Sequence, residues 1–173
     1  MRKLSTKDLT LAAMVAAVYT VLTVFLPIPQ YGEVQFRIAE CMTVLPFLFP
    51  WATPGLIVGC FLANLLGSPF VLDWVFGTLA TALACFMTAR MPNKWLAPLP
   101  PVLCNAIIVG AEIAYSAVGG FGGAFWAAVG PIALGVGLGE LAVCYILGLP
   151  LLALLPKVEA FRGLIPEKRI STL

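Results

Sequence analysis

Histidine is absent from the sequence. That removes the commonest general base, proton shuttle and zinc ligand, and no serine–histidine pair can form. Charge is also scarce: ten Lys and Arg with eight Asp and Glu make up only 10% of the 173 residues, against roughly 25% in a typical soluble domain. A water-facing surface cannot be built from so few charges. No glycine-rich loop ends in Lys-Ser or Lys-Thr, so the chain cannot hydrolyse ATP as a P-loop protein, and H-E-x-x-H is missing. Cys41, Cys60, Cys85, Cys104 and Cys144 each stand singly in an apolar run with no C-x-x-C spacing. They read as small packing residues, not as metal ligands or a disulfide framework. No catalytic residue, metal, cofactor or nucleic-acid partner is expected.

What the sequence does contain is apolar: 61% hydrophobic residues and a mean hydropathy of +1.03. Lipid must cover much of the outside, which places the chain among all-α integral membrane proteins. Residues 1–173 read as a single transmembrane domain without internal repeats. Apolar periodicity and breakers predict helices over about 8–26, 38–49, 55–66, 71–90, 99–117 and 126–155. The first, capped by Ser5 or Thr6 and ended by Pro27 and Pro29, is long enough to span a bilayer and is read as a retained helix, not a cleaved signal. The second and third are short of the roughly 20 residues of a full span and form a tight hairpin among Pro46, Pro50 and Pro54. A loop with Gly32, Glu33 and Gln35 precedes them. A polar turn holding Lys94 precedes the fifth helix, whose first turn tolerates Pro100 and Pro101. A glycine-rich loop, 118–125, precedes the sixth.

Six alternating spans with both termini in the cytoplasm put Arg2, Lys3, Lys7, Arg90, Lys94, Lys157, Arg162, Lys168 and Arg169 inside and Arg37 alone outside. That bias satisfies the positive-inside rule.

Four acids fall in or near spans: Glu40, Asp73, Glu112 and Glu140. An ionisable residue there is costly, at least about 2.5–3.5 kcal/mol for Asp, Lys or Arg at a helix centre, so each is a candidate for function. Glu40 has a ready structural explanation, an i,i+3 pair with Arg37 near the outer surface. Asp73 has another, in the first turn of its helix, where an anion is favoured. Glu112 lies roughly 8 Å from the outer end of its helix at 1.5 Å per residue, and Glu140 lies deeper on the next. Neither has a Lys or Arg within one turn, so a ligand's donors are their natural partners. Asn105 lies two turns before Glu112, on the same face of an ideal helix. Asn64 is a weaker candidate, with interhelical bonding as the alternative. The expected substrate-binding set is Glu112, Glu140, Asn105, Asp73 and Asn64.

Tyr31, Phe36, Trp74, Tyr115, Phe121, Phe125 and Trp126 cluster at the predicted outer rim and read as an interfacial belt, from which one or two rings could stack on a planar ligand. Ala12 with Ala16, and Ala13 with Ala17, form two small-xxx-small pairs in the cytoplasmic half of the first helix, where another helix can approach closely. Gly135, Gly137 and Gly139 thin the sixth helix and leave room for a ligand or a neighbouring backbone.

The stretch Val34-Gln35-Phe36-Arg37-Ile38-Ala39-Glu40 resembles the QueT family, and residues 43–50, 55–67, 73–81, 94–103 and 105–106 continue the likeness. The family consists of predicted queuosine-precursor transporters, the substrate-binding S-components of energy-coupling factor (ECF) transporters. The resemblance implies a six-helix S-component in the bacterial cytoplasmic membrane. Its pocket would open outward from the external loops and the last three helices. Its alanine pairs would face a transmembrane coupling subunit that sits on two ATPase subunits. A 7-deazaguanine ligand suits buried acids, because one carboxylate accepts from both the ring N–H and the exocyclic amine. Asn105 would serve the carbonyl edge. The residues alone leave open an S-component for another small vitamin, a stand-alone proton-coupled carrier with Glu112 or Glu140 as relay, and a membrane-embedded enzyme acting on lipid.

Overall fold

Ser5 starts the first helix. Its backbone N–H donates to the Asp8 carboxylate at 2.9 Å and its hydroxyl accepts from the Asp8 N–H at 3.2 Å, a reciprocal cap that satisfies donors otherwise orphaned at a helix start. The computed structural model describes residues 5–27, 30 and 36–170, without the side chains of Lys168 and Ile170. Arg2, Lys3, Pro29, Tyr31, Gly32, Glu33, Val34 and Gln35 lie outside the described residues.

From that cap, α1 runs over Thr6–Phe25 and buries a stripe of Ala12, Ala16, Tyr19 and Thr23. The stripe packs on α2, Ala52–Gly67. The two backbones come so close that a Cβ on Gly55 would lie 2.2 Å from the Ala12 carbonyl oxygen, and one on Gly59 would lie 2.9 Å from that of Ala16. Ala12 and Ala16, expected to face a partner helix, are therefore occupied within the chain. Only Ala13 and Ala17 remain exposed.

Between α1 and α2 the chain forms a 3-10 helix, Ile38–Phe47, where the sequence predicts an ordinary helix over 38–49. Runs of more than three or four residues in this form are uncommon. This one is buried on nearly every side, from Ala39 and Glu40 through Phe47, and touches α1, α2 and the helices that follow. Tertiary packing thus overrides the local preference. At about 2.0 Å per residue the segment is roughly 20 Å long, and α2 at 1.5 Å per residue is about 24 Å. Both fall short of the roughly 30 Å of bilayer hydrocarbon.

The remaining long helices are α3, Val71–Thr88, α4, Leu99–Val118, and α5, Gly123–Lys157. Together with α1 they make four helices long and apolar enough to cross a membrane among the described residues. All regular structure there is helical. Pro100 and Pro101 sit in the first turn of α4 as expected, and Gly119, at φ 77°, closes it in the left-handed conformation. Both α4 and α5 contain a π turn, Asn105–Val109 and Cys144–Gly148. Gly110 meets the Ala133 backbone, and Gly137 meets the Ala106 methyl, so small residues bring α4 and α5 together. The α5 glycine Gly137 thus admits a neighbouring helix.

Two apolar cores result. One gathers α1, α2 and the 3-10 helix around Tyr19, Phe47, Leu48 and Leu56. The other joins α3, α4 and α5 around Val109, Ile113, Ile132 and Val136. After α5 the tail turns back. Arg169 donates to the carbonyls of Met91, at 2.8 Å, and Ala89, and its guanidinium covers the Phe47 ring at 4.8 Å.

Candidate functional site

Arg37 enters the protein just before the 3-10 helix and is buried. Its guanidinium lies 3.5 Å from a Glu40 carboxylate oxygen. The i,i+3 pair expected from the sequence therefore exists, but inside the bundle and not near its surface: Glu40 has no exposed area at all. Tyr19 on α1 donates its hydroxyl to the same Glu40 oxygen. The guanidinium also reaches Asp73 on α3, 3.6 Å away. Asp73 is thus more than a cap on its helix, as the sequence allowed; it is one end of a buried Glu40–Arg37–Asp73 ion triad. No spacing rule could have shown that link, because its partners are distant in sequence.

Asn64 on α2 donates to the Asp73 carbonyl oxygen at 3.0 Å. This is the interhelical bond weighed against its candidacy. Gly77 makes room for both: a Cβ there would lie 2.2 Å from a carboxylate oxygen of Asp73 and 2.8 Å from the Asn64 amide nitrogen. Thr81 donates to the Cys60 sulfur at 3.2 Å.

Glu140 on α5 is buried beside Cys144, whose thiol lies 3.5 Å from its carboxylate and 3.5 Å from the Glu40 carbonyl oxygen. Cys144 therefore joins two polar segments, a role its sequence context gave no sign of. Asn105 lies next to Glu140, not on the face of Glu112. The π turn that begins at Asn105 inserts an extra residue. That turns the rest of α4 by about 100°, one residue of a 3.6-residue turn.

Glu112, buried and held by the Ser116 hydroxyl at 3.1 Å, opens instead on a cleft of about 440 Å³. Leu72 and Phe76 of α3, Ile108, Ala111 and Tyr115 of α4, and Phe121 and Phe125 line the rest. The volume is that of a small-molecule site, and one charged group on an otherwise apolar wall fits the pattern of such sites. Tyr115, Phe121 and Phe125 stand in a chain of ring contacts at 4.8 and 5.0 Å. Three of the aromatics expected at a rim thus line the cleft, and Phe121, like Trp126, is largely exposed. A second groove, about 370 Å³ along α1 and the end of α5, is lined by apolar residues and Cys41.

The buried acids gather about Arg37, which Glu40 and Asp73 pair with directly. Around them, buried polar atoms lack hydrogen-bond partners: one oxygen each of Glu40, Asp73, Glu112 and the Asn64 amide, the Asn105 amide nitrogen, the Trp74 indole nitrogen and the Thr78 hydroxyl. Native interiors leave few such groups unsatisfied, and of these residues Glu112 lines the cleft. No arrangement suited to a metal ion occurs among the described residues.

A family profile described as the QueT transporter matches residues 9–157. The chain belongs to the QueT transporter family. This is a transporter family and not an enzyme family, and with its long apolar helices the chain is a multi-pass membrane protein. It is 34% identical over 83 residues to a protein of Lactococcus lactis subsp. cremoris named queuosine precursor transporter QueT. That match spans 47% of the chain and about half, 48%, of the relative. No solved structure matches. The QueT match takes in every residue of the triad and the cleft.

Proposed function

We propose that the chain is the substrate-binding subunit of an ECF transporter importing a queuosine precursor in the form of a 7-deazaguanine base. The observation that carries this reading is the buried Glu112 carboxylate, one oxygen of it without a partner, on an otherwise apolar, aromatic-walled cleft. Glu112 would accept from the ring N–H and the exocyclic amine, an arrangement in which charge-assisted bonds are strong. Tyr115 or Phe121 would cover the ring, while Asn105, which lies beside Glu140 and not in the cleft lining, would not reach the carbonyl edge. Asn64 and Glu140 would support the site from behind. The name of the lactococcal relative supports the ligand class.

The membrane arrangement proposed is six spans in a bacterial cytoplasmic membrane, with both termini inside and the cleft outside. The basic residues support this orientation, and Arg37, the exception among them, is neutralised within the bundle by Glu40 and Asp73. The orientation holds whether the 3-10 helix and α2 both cross or both turn back, since either way α3 starts on the outer face. Ala13 and Ala17 are the small pair left to meet a coupling subunit with its two ATPases. The chain has no nucleotide loop, so energy would come from those partners.

Titration of a 7-deazaguanine base into the detergent-solubilised chain by calorimetry tests the reading. Saturable binding at a single site is expected. Absence of binding, with another small vitamin bound in its place, overturns it.

A further inference from the structure

The second groove is long, apolar and charged at one end. It follows α1 from Leu11 to Leu22, roughly 16 Å at 1.5 Å per residue. One leaflet is half of a hydrocarbon layer of roughly 30 Å, or about 15 Å, so the groove is as long as a leaflet is deep. The buried Leu45 of the 3-10 helix and Leu155 near the end of α5 help to line it.

The direction of each element places the charges. Gly55 faces Ala12 and Gly59 faces Ala16, so Phe49, just before α2, lies at the Leu11 end. Cys144 meets Glu40, and Gly148 meets Val44, so α5 runs along the 3-10 helix towards that same end. Phe161 packs on Phe49 there, with ring centroids 6.1 Å apart. Three bases follow from these positions: Lys7 one turn before Leu11, Lys157 just after Leu155, and Arg162 next to Phe161. All three are exposed, and among the described residues none is in an ion pair. Of the acids nearby in sequence, Asp8 is buried in the cap of α1 and Glu159 is exposed, so positive charge is in excess.

We propose that this groove holds an acyl chain of one anionic phospholipid, with Lys7, Lys157 and Arg162 meeting its phosphate. An apolar channel one leaflet deep with cations at its mouth matches the two halves of such a lipid. Basic side chains at a membrane surface attract anionic headgroups, and basic pockets between helices hold them. A second copy of the chain, seated on the same face in the same membrane, would bring its own three bases against these. Ala13 and Ala17 lie on another face of α1, about 200° from Leu11 and Val15 at 100° per residue, so the lipid leaves that pair free.

Native mass spectrometry of the intact chain, stripped of lipid in detergent, tests the proposal by titration with phosphatidylglycerol or phosphatidylcholine of identical acyl chains. One phosphatidylglycerol per chain is expected, bound at least fivefold more tightly than phosphatidylcholine. Changing Lys7, Lys157 and Arg162 together to Gln, all at exposed positions, is expected to bring the two lipids within twofold of each other. Val18→Trp, at an exposed position in the groove, is expected to weaken binding of both lipids at least fivefold. Equal affinities in the parent chain overturn the proposal, and that comparison needs no variant to fold. Unchanged phosphatidylglycerol binding in a folded Val18→Trp chain places the lipid elsewhere and overturns it too. An undiminished preference in the folded triple variant overturns the headgroup assignment. A dimer that lipid does not dissociate, or release of the lipid when the coupling subunit is added, gives the groove to a protein and overturns the lipid.

Discussion

At Glu112 one atom distinguishes a ligand contact from a buried acid held only by its own helix. Glu112→Gln preserves the shape and the room for the Ser116 bond, but it can turn an acceptor into a donor facing ligand donors. Affinity for a 7-deazaguanine base is expected to fall more than tenfold, or by over about 1.4 kcal/mol, measured by calorimetry on variant and parent. Equal affinities would remove Glu112 from the site. Tyr19 poses the opposite case, a residue that the sequence gave no reason to single out. Its hydroxyl is fully buried against Glu40. Tyr19→Phe strips a donor from a carboxylate that already has one oxygen without a partner, which costs about 1–3 kcal/mol. Thermal unfolding in detergent is expected to shift downward accordingly; an unchanged midpoint would mean that Arg37 alone sustains Glu40.

Among elements, α1 and α2 show how far the sequence speaks for itself. The cap at Ser5 and the first-turn prolines of α4 were legible, because each is a local signal with a local cause, whereas the answering bond from Asp8 and the stop at Gly119 came only with the structure. The small-xxx-small stripe of α1 was legible as a close-packing surface too, but a stripe does not say which helix it meets. Ala12 and Ala16 meet Gly55 and Gly59 of the same chain. The expectation for tryptophan substitutions is therefore divided. Ala12→Trp has no space and is expected to damage the fold, lowering both thermal stability and ligand binding. Ala13→Trp, on the exposed side, is expected to leave binding within a factor of two or so and to abolish uptake when the chain is reconstituted with its coupling module. If Ala13→Trp left uptake intact, the exposed pair would not be the docking surface. Gly55→Leu tests the same α1–α2 contact from the other side: overpacking costs about 1–3 kcal/mol, readable as a lower unfolding temperature.

The 3-10 helix and the two π turns were not legible. Their residues carry no local signature of these forms, and packing imposes them. The consequence reaches the site, because the π turn of α4 moves Asn105 to Glu140 and leaves Glu112 on the cleft. Acids stranded in apolar runs were easily found, since their rarity is the signal. What they pair with was found only where the partner lay within a helical turn, as at Arg37 and Glu40. The Arg37–Asp73 contact and the bridge from Cys144 to Glu40 join parts of the chain far apart in sequence, and no periodicity reports such contacts.

Taken as a whole, the molecule has a cleft of small-molecule size and no P-loop motif in its sequence. Four long apolar helices, two shorter ones and a buried acidic site suit capture of a small molecule. The central claim is that capture and energy supply are divided between this chain and its partners. Proteoliposomes test it directly, with a labelled 7-deazaguanine base outside and ATP inside, comparing the chain alone with the chain plus coupling subunit and ATPases. The account predicts binding but no accumulation by the chain alone, with or without a proton gradient, and ATP-dependent accumulation once the partners are added. Accumulation by the chain alone under a proton gradient would contradict it and make the buried acids a proton relay.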